Sequence, residues 1–386
     1  MSGAGGIIKT YFLTGATGVV GSAIVPRLLL DPDTRVMLLI RAKDEPALQT
    51  RMGELIRFWR DSGEKVPSDR IEAVRGDATL PQFGLAEKPY SALEHECTHV
   101  IHSAGTVRMN LSLEDARRSA VGSATEILTL ARRMADRGQL EKVEFVSTVG
   151  IAGKRAGALP ETWVVEPREF HNTYEQAKAE AEDYVREEVE HGLPLTVHRP
   201  SMVVGDSRTG RVIHFQIFYH LCEFLSGLRT LGLSPNLGRA HLDTVPADYV
   251  GSAIAWSSRQ PTTSGRVFHL CSGPQLSIPL TELQPLVRAV YAEAGRWTPP
   301  VIALPSWAFL GAMRALGLFV GESAQRAIRT LPVFIDYLTT EQAFGNAQSQ
   351  ESLVAAGIAL PSPRDYLPCV LRQYLGSGEH DRKAGN

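Results

Sequence analysis

This chain of 386 residues has few cysteines, and the four it has, Cys97, Cys222, Cys271 and Cys369, are too scattered for a disulfide framework. Reduced thiols in a cytoplasmic protein are expected. The chain also lacks a basic tract and the Cys/His spacing of a zinc site, and its formal net charge is only -2. Neither nucleic-acid binding nor a metal centre is expected. No basic-then-apolar segment opens it, so no secretion signal is expected. Long unbroken apolar runs are absent too. The stretch "VIALPSWAFLGAMRALGLFV" at 301–320 approaches membrane length, but Pro305, Ser306 and Arg314 interrupt it. It reads as a buried or interfacial helix, which leaves room for peripheral membrane contact but not for a transmembrane span. No internal repeat or low-complexity linker divides the chain.

What is present is an ordinary globular composition, 44% hydrophobic and 21% charged, arranged as alternating short apolar runs and longer helix-compatible segments. "YFLT", "RVMLLI", "IEAVRG", "THVIHSAG", "KVEFVST" and "LTVHRP" read as buried parallel strands, and helices are expected at 21–30, 46–61, 112–137 and 173–191. Strict alternation predicts an α/β, doubly wound parallel sheet of the Rossmann type, with ligands at the carboxyl ends of its strands. After about residue 200 the pattern becomes irregular, "VFHL" near 267 reads as a further strand, and residues 275–386 look mainly helical. The division expected is a nucleotide-binding domain over 1–205, with 240–275 returning to it, and a smaller, mainly helical substrate lobe from 206–239 and 276–386.

The stretch "FLTGATGVVGSAI", residues 12–24, places three glycines where the first strand turns into a helix. Gly15 suits the turn, Gly18 leaves room for a ligand near the backbone, and Gly21 lets helix and strand pack closely, so that the helix N-terminus faces a pyrophosphate. The second strand ends in "LLIRAKD", where Arg41 and Lys43 replace the acid that usually holds the ribose hydroxyls of NAD. A guanidinium grips a 2'-phosphate with paired hydrogen bonds, which favours NADPH. In "GDAT", Asp77 follows the third strand, where a carboxylate can accept from the adenine amino group. "HSAG" at 102–105 ends the fourth strand with small residues close to the cofactor, and His102 reads as a packed core histidine.

The chemistry lies in "NTYEQAKAEAE", where Tyr174 and Lys178 stand four residues apart and share a helix face. An unperturbed tyrosine titrates near ~10, and the expectation is that the lysine ammonium and an oxidised nicotinamide lower it. Thr148, or Ser147 beside it, ends the fifth strand and supplies a hydroxyl for the substrate oxygen.

These motifs in this order resemble an extended short-chain dehydrogenase/reductase over roughly residues 10–275. The resemblance implies a catalytic group of Thr148, Tyr174 and Lys178. It implies cofactor contacts at Thr14, Gly15, Thr17, Gly18, Val19, Val20, Gly21, Arg41, Lys43, Asp77, Ala78, Ser103, Ala104, Gly105 and Lys178, with Pro200, Ser201 and Met202 on the nicotinamide side. Three stretches, "LLIRAKDEPALQTRMGELIRFW", "HRPSMVVGDSRTGRV" and "LDTVPADYVGSAI", look like the thioester reductase and fatty acyl-CoA reductase branch. That branch implies NADPH-dependent reduction of an acyl thioester, delivered by CoA or an acyl carrier protein, to an aldehyde, and leaves open a second reduction to an alcohol. Two other readings stand beside it: another extended-reductase chemistry, such as a hydroxysteroid or sugar-nucleotide conversion, and a nonenzymatic NADP sensor. The apolar segments at 215–228 and 301–320 suit either an acyl channel or the plain core of a helical lobe.

Overall fold

The computed structural model describes residues 8–155, 157–317 and 343–377. Its centre is a seven-stranded parallel sheet of β1 (Lys9–Thr14), β2 (Thr34–Ile40), β3 (Ile71–Arg75), β4 (His99–His102), β5 (Lys142–Val146), β6 (Leu195–Pro200) and β7 (Val267–Leu270), in the spatial order 7-6-5-4-1-2-3. Tyr11, Phe12, Leu13, Leu38, Val100, Val143 and Phe145 are fully buried, because helices cover both faces of the sheet. Thr14 is level with Leu39 on one side and His102 on the other. The strand order reverses at β1, so β1, β2 and β4 end together at a crevice, where an open α/β sheet binds its ligand.

Among the helices are α1 (Val19–Leu28), α2 (Glu45–Asp61), α3 (Glu87–Glu96), α4 (Ser123–Asp136), α5 (Thr173–Glu190), α6 (Ile217–Leu225), α7 (Ala247–Ser257), α8 (Leu280–Glu293), α9 (Ala347–Ala355) and α10 (Pro363–Gly376). In α2, Asp44 caps the start by accepting from the Ala47 amide, and Leu48, Met52, Leu55 and Trp59 form the buried stripe. Trp59 donates to the Ser22 carbonyl at 2.7 Å, locking α2 against α1. The helix expected over 112–137 is present as Leu113–Arg117 and α4, joined by one wider turn at 118–122. Helix α3 was not anticipated: it is short, and Tyr90 and Leu93 carry most of its buried face.

A second core lies beside the sheet, where Phe218, Leu225, Leu283, Val287, Phe309, Leu367, Leu371 and Tyr374 pack together. It draws on α6, α8, the helix at Ser306–Gly317, and α10. Residues 343–360, counted with the lobe on sequence grounds, pack on the sheet instead. Ala343–Phe344 pairs with Ala158–Leu159, the Asn346 amide donates to the Cys271 carbonyl at 2.7 Å, and Leu353 lies in the same buried cluster as Phe268. Within 301–320 the chain forms a strand at Ile302–Leu304 and the helix at Ser306–Gly317, and 318–320 lie outside the described residues. Phe309 and Met313 of that helix are buried, whereas Trp307 is exposed. Among the described residues no helix is long and apolar enough to cross a membrane.

Candidate active site

The turn after β1 has the shape the glycines foretold. Gly15 sits at φ 80°, and a Cβ there would lie 2.6 Å from the Ala104 nitrogen, so the chain after β4 runs directly against it. A Cβ on Gly21 would lie 2.2 Å from the Gly15 carbonyl oxygen. Gly18 begins α1 with no side-chain cap and no acid in the first turn. The N–H groups and positive dipole end of α1 are therefore available to an anion, as a dinucleotide pyrophosphate requires.

A cavity of about 330 Å³ opens beside this turn. Gly18, Val19, Val20, Ser103, Ala104, Gly105, Thr148, Tyr174, Lys178, Pro200, Ser201 and Met202 all line it. Though far apart along the chain, these side chains and backbone segments come together from the start of α1, from the chain at and after the ends of β4, β5 and β6, and from the first turns of α5. Beyond them the wall is mostly apolar: Val107, Met109, Ile217, Leu221, Leu242, Leu280 and Phe344, with Gln216, His241, Asp243 and Ser277 as polar members. On α6, Ile217 and Leu221 face this space, whereas Phe218 and Leu225 are fully buried in the second core.

The catalytic trio expected from the sequence is brought together. Asn172 caps α5 by accepting from the Glu175 amide at 3.0 Å, which starts the helix at Thr173 and puts Tyr174 and Lys178 on its first turns. The phenol and the Thr148 hydroxyl hydrogen-bond each other. Ser147 turns away, donating to Glu182 at 2.6 Å, so of the two candidate hydroxyls Thr148 is the one joined to Tyr174. Lys178 donates from Nζ to the Val146 carbonyl at 2.9 Å and lies over the Phe145 ring. The expected lowering of the phenol is not what this geometry gives. Burial pushes Tyr174 up to about 12 against the opposing Thr148 hydrogen bond. Burial also brings Lys178 down to about 8, partly opposed by the Glu182 charge. Tyr174 is thus a protonated donor at neutral pH.

The adenosine end is more open. Arg41 is 77% exposed with its guanidinium 3.9 Å from Asp77, and Lys43 is 84% exposed and 4.0 Å from Asp44. Asp77 accepts on Oδ1 from the Thr79 amide and hydroxyl, which leaves Oδ2 toward Arg41. Ala78 is packed in the core. Thr14 is turned inward as well, bonded to His102 Nδ1 at 2.8 Å and fully buried, so it braces the turn rather than facing a ligand. His102 is the packed core histidine expected, and burial lowers it to about 3.

One cation escaped the sequence reading. Arg51 of α2 donates to the Thr17 hydroxyl at 3.1 Å and to the Arg41 carbonyl at 2.5 Å, spanning the gap between the glycine turn and the end of β2. Its signal was its place three residues after Leu48 and four before Leu55, at the margin of the buried stripe.

Residues 13–254 match the family model described as male sterility protein. The chain is 28% identical over 276 residues to the isonitrile lipopeptide synthase of Streptomyces coeruleorubidus, an alignment that covers 70% of this chain and 18% of that protein. It is 30% identical over 288 residues to the L-2-aminoadipate reductase large subunit of Penicillium chrysogenum, covering 69% of this chain and 20% of that one. The chain thus spans about a fifth of the length of these relatives. Among solved structures, the terminal R domain from the myxalamid PKS-NRPS biosynthetic pathway is similar at 28% identity with a TM-score of 0.78, covering 99% of this chain and 92% of that one. The reductase domain of a nonribosomal peptide synthetase from Mycobacterium tuberculosis shares the fold at 22% identity and a TM-score of 0.70, covering 95% of this chain and 92% of that one.

Proposed function

Because this chain belongs to the male sterility protein family, within the thioester reductase branch of the extended short-chain dehydrogenases/reductases, we propose that it uses NADPH to reduce an acyl thioester to an aldehyde. The observation that carries this reading is the convergence of Thr148, Tyr174 and Lys178 on a cavity whose one end is a dinucleotide cradle and whose other end is apolar. When bound, NADPH supplies a hydride to the thioester carbonyl carbon. Tyr174 and Thr148 hold the oxygen as negative charge develops on it, and Tyr174 donates a proton to it. Lys178 keeps a positive charge near that phenol while anchored on the Val146 carbonyl. Collapse of the tetrahedral adduct breaks the carbon–sulfur bond and returns the oxygen-bound proton to Tyr174, while the departing thiolate takes a proton from solvent, giving one aldehyde and one thiol for each NADPH and proton consumed.

The relatives are long synthases and reductases that this chain matches over a fraction of their length, which favours an acyl group carried by a carrier protein over one carried by CoA. In the proposed division of labour, residues up to 205 with 240–275 hold the dinucleotide, 343–360 brace that unit, and 206–239 with 276–317 and 363–377 face the acyl group. The assay mixes the protein and NADPH with carrier-bound thioesters, CoA esters, aldehydes and sugar nucleotides. Oxidation of NADPH with thioesters supports the proposal. Steady turnover of a sugar nucleotide or sterol, with none of any thioester, overturns it.

Two expected results follow for binding. NADPH should bind more tightly than NADH, through Arg41 and Arg51 and with help from Lys43. Arg41→Ala or Arg51→Ala removes a charge-assisted contact of roughly 1.5–3 kcal/mol, shrinking the preference by about tenfold or more. Calorimetry reads this directly, and equal affinity of the unmodified protein for both nucleotides contradicts it. Along the apolar wall each buried methylene adds about 0.8 kcal/mol, roughly fourfold in kcat/KM, until the space is filled. Leu221→Asp should flatten that dependence, because a buried unpaired carboxylate is costly. The measurement is kcat/KM against acyl length, with NADPH affinity as the control for folding.

A further inference from the structure

Behind the candidate site lies a buried polar cluster of Glu182, Arg199 and His269, which reaches the cavity wall through Ser147. Glu182 stands one helical turn beyond Lys178 on α5 and is 5% exposed. Its carboxylate accepts from the Ser147 hydroxyl at 2.6 Å and from the Arg199 Nε at 3.1 Å, and Arg199 Nη2 bonds it as well. Ser147 sits between Val146, whose carbonyl anchors Lys178, and Thr148. Arg199 immediately precedes Pro200 of the cavity wall, and its Nη1 donates to the Thr162 carbonyl at 2.9 Å and to His269 Nε2 at 3.1 Å. His269 in turn donates from Nδ1 to the Gly345 carbonyl at 2.6 Å, beside Phe344 of the opposite wall. One carboxylate therefore ties the ends of β5 and β6 to the helix that carries Tyr174 and Lys178.

We propose that Glu182 is a positioning residue: through Ser147 and Arg199 it fixes the Val146 carbonyl and Thr148 against α5, and its charge one turn away sustains the ammonium form of Lys178. The proposal rests on the assignment of Lys178 to the reaction. The charged groups around the pair are few. Arg168 faces Glu182 from the segment before α5, with Asp183 beside it, and Arg199 faces it from β6. His269 on β7 and His102 on β4 are both neutral, since burial lowers each to about 3. On α5 itself Glu175 acts on Tyr174, and Arg186 and Glu187 act on Asp183. Glu182 is held below the ordinary carboxylate range: burial raises it, but Arg199, Ser147 and the charge of Arg199 outweigh that. It is therefore an anion wherever Lys178 titrates. An anion one turn away raises a lysine's proton affinity, so removing the charge lowers it.

The test is Glu182→Gln, which keeps the shape and removes the charge, with Glu182→Gln/Arg199→Met as its partner so that no buried cation is left unpaired. The titration of Lys178 is followed by NMR of lysine-labelled protein without substrate, its signal assigned by Lys178→Arg, alongside thermal unfolding and the pH profile of kcat. The expected result is a Lys178 midpoint lower by about one pH unit in Glu182→Gln. It should stay below the unmodified value in the double variant, where thermal stability recovers, and the alkaline limb of kcat should move with it. If Glu182→Gln does not fold, the double variant carries the test alone. A Lys178 midpoint unchanged in folded variants overturns the proposal and leaves the cluster a purely structural ion pair. Because the titration needs no substrate, a shift seen without any thioester turnover would overturn the assigned reaction and not the Glu182 effect.

Discussion

Tyr174→Phe should lose turnover by roughly 10²–10⁴-fold while binding NADPH almost as tightly as the unmodified protein. The variant removes one oxygen and keeps the ring, so the cavity wall beside the nicotinamide position is preserved. What is lost is the donor that the developing oxyanion needs, and the hydrogen bond that holds the Thr148 hydroxyl toward it. Since burial keeps the phenol at about 12, it enters each cycle protonated across the neutral range, and its loss should be felt equally at pH 6 and pH 8. Steady-state kinetics at both pH values and calorimetry with NADPH check the two halves of this expectation. A variant that keeps most of its activity would remove Tyr174 from the chemistry.

Lys178→Ala should behave differently, losing both rate and cofactor affinity. Its ammonium is anchored on the Val146 carbonyl and lines the same cavity as Pro200–Met202, so it is placed to hold the dinucleotide as well as to favour charge beside the phenol. A charge-assisted contact contributes roughly 1.5–3 kcal/mol, so NADPH should bind about tenfold to a hundredfold more weakly, in addition to the loss in kcat. The pH dependence has a definite sign. Burial depresses Lys178 to about 8, so the charged form is present below that value and is lost as pH rises through it. The rate of the unmodified protein should fall above about pH 8. Lys178→Ala should show no such fall. Kinetics against pH together with calorimetry separate the two roles, and a variant that binds NADPH normally would confine Lys178 to the chemical step.

How far the sequence reached can be judged residue by residue. Gly15 and Gly21 were legible because their positions are dictated by backbone contact: each faces another main-chain segment at a distance no side chain tolerates. Five of the six strands to residue 200 were legible because burial on both faces favours apolar residues, whereas β3 lies at the sheet edge and is only partly buried. Ser147 and Thr148, just past the end of β5, could not be told apart by sequence, and only the partner Glu182 shows that the Ser147 hydroxyl is turned away from Tyr174. The Tyr174–Lys178 spacing points to a lowered phenol, whereas burial depth, which spacing does not report, raises it. Arg51 was hidden because its two contacts, Thr17 and Arg41, lie 34 and 10 residues away along the chain. Phe344 was hidden for the same reason, as the chain leaves the second core and returns to pair with Ala158–Leu159. On α6 the helical period showed an apolar segment, but only packing shows that Ile217 and Leu221 face the cavity and Phe218 and Leu225 do not.

The most direct measurement of the central claim is the fate of a labelled hydride. NADPH carrying deuterium at the transferable position is incubated with the protein and an acyl thioester, the product is trapped as a hydrazone, and released thiol is counted. The account predicts one deuterium on the former carbonyl carbon, one free thiol for each NADPH oxidised, and loss of both in Tyr174→Phe. An unlabelled product, or NADPH oxidised without release of thiol, would contradict it.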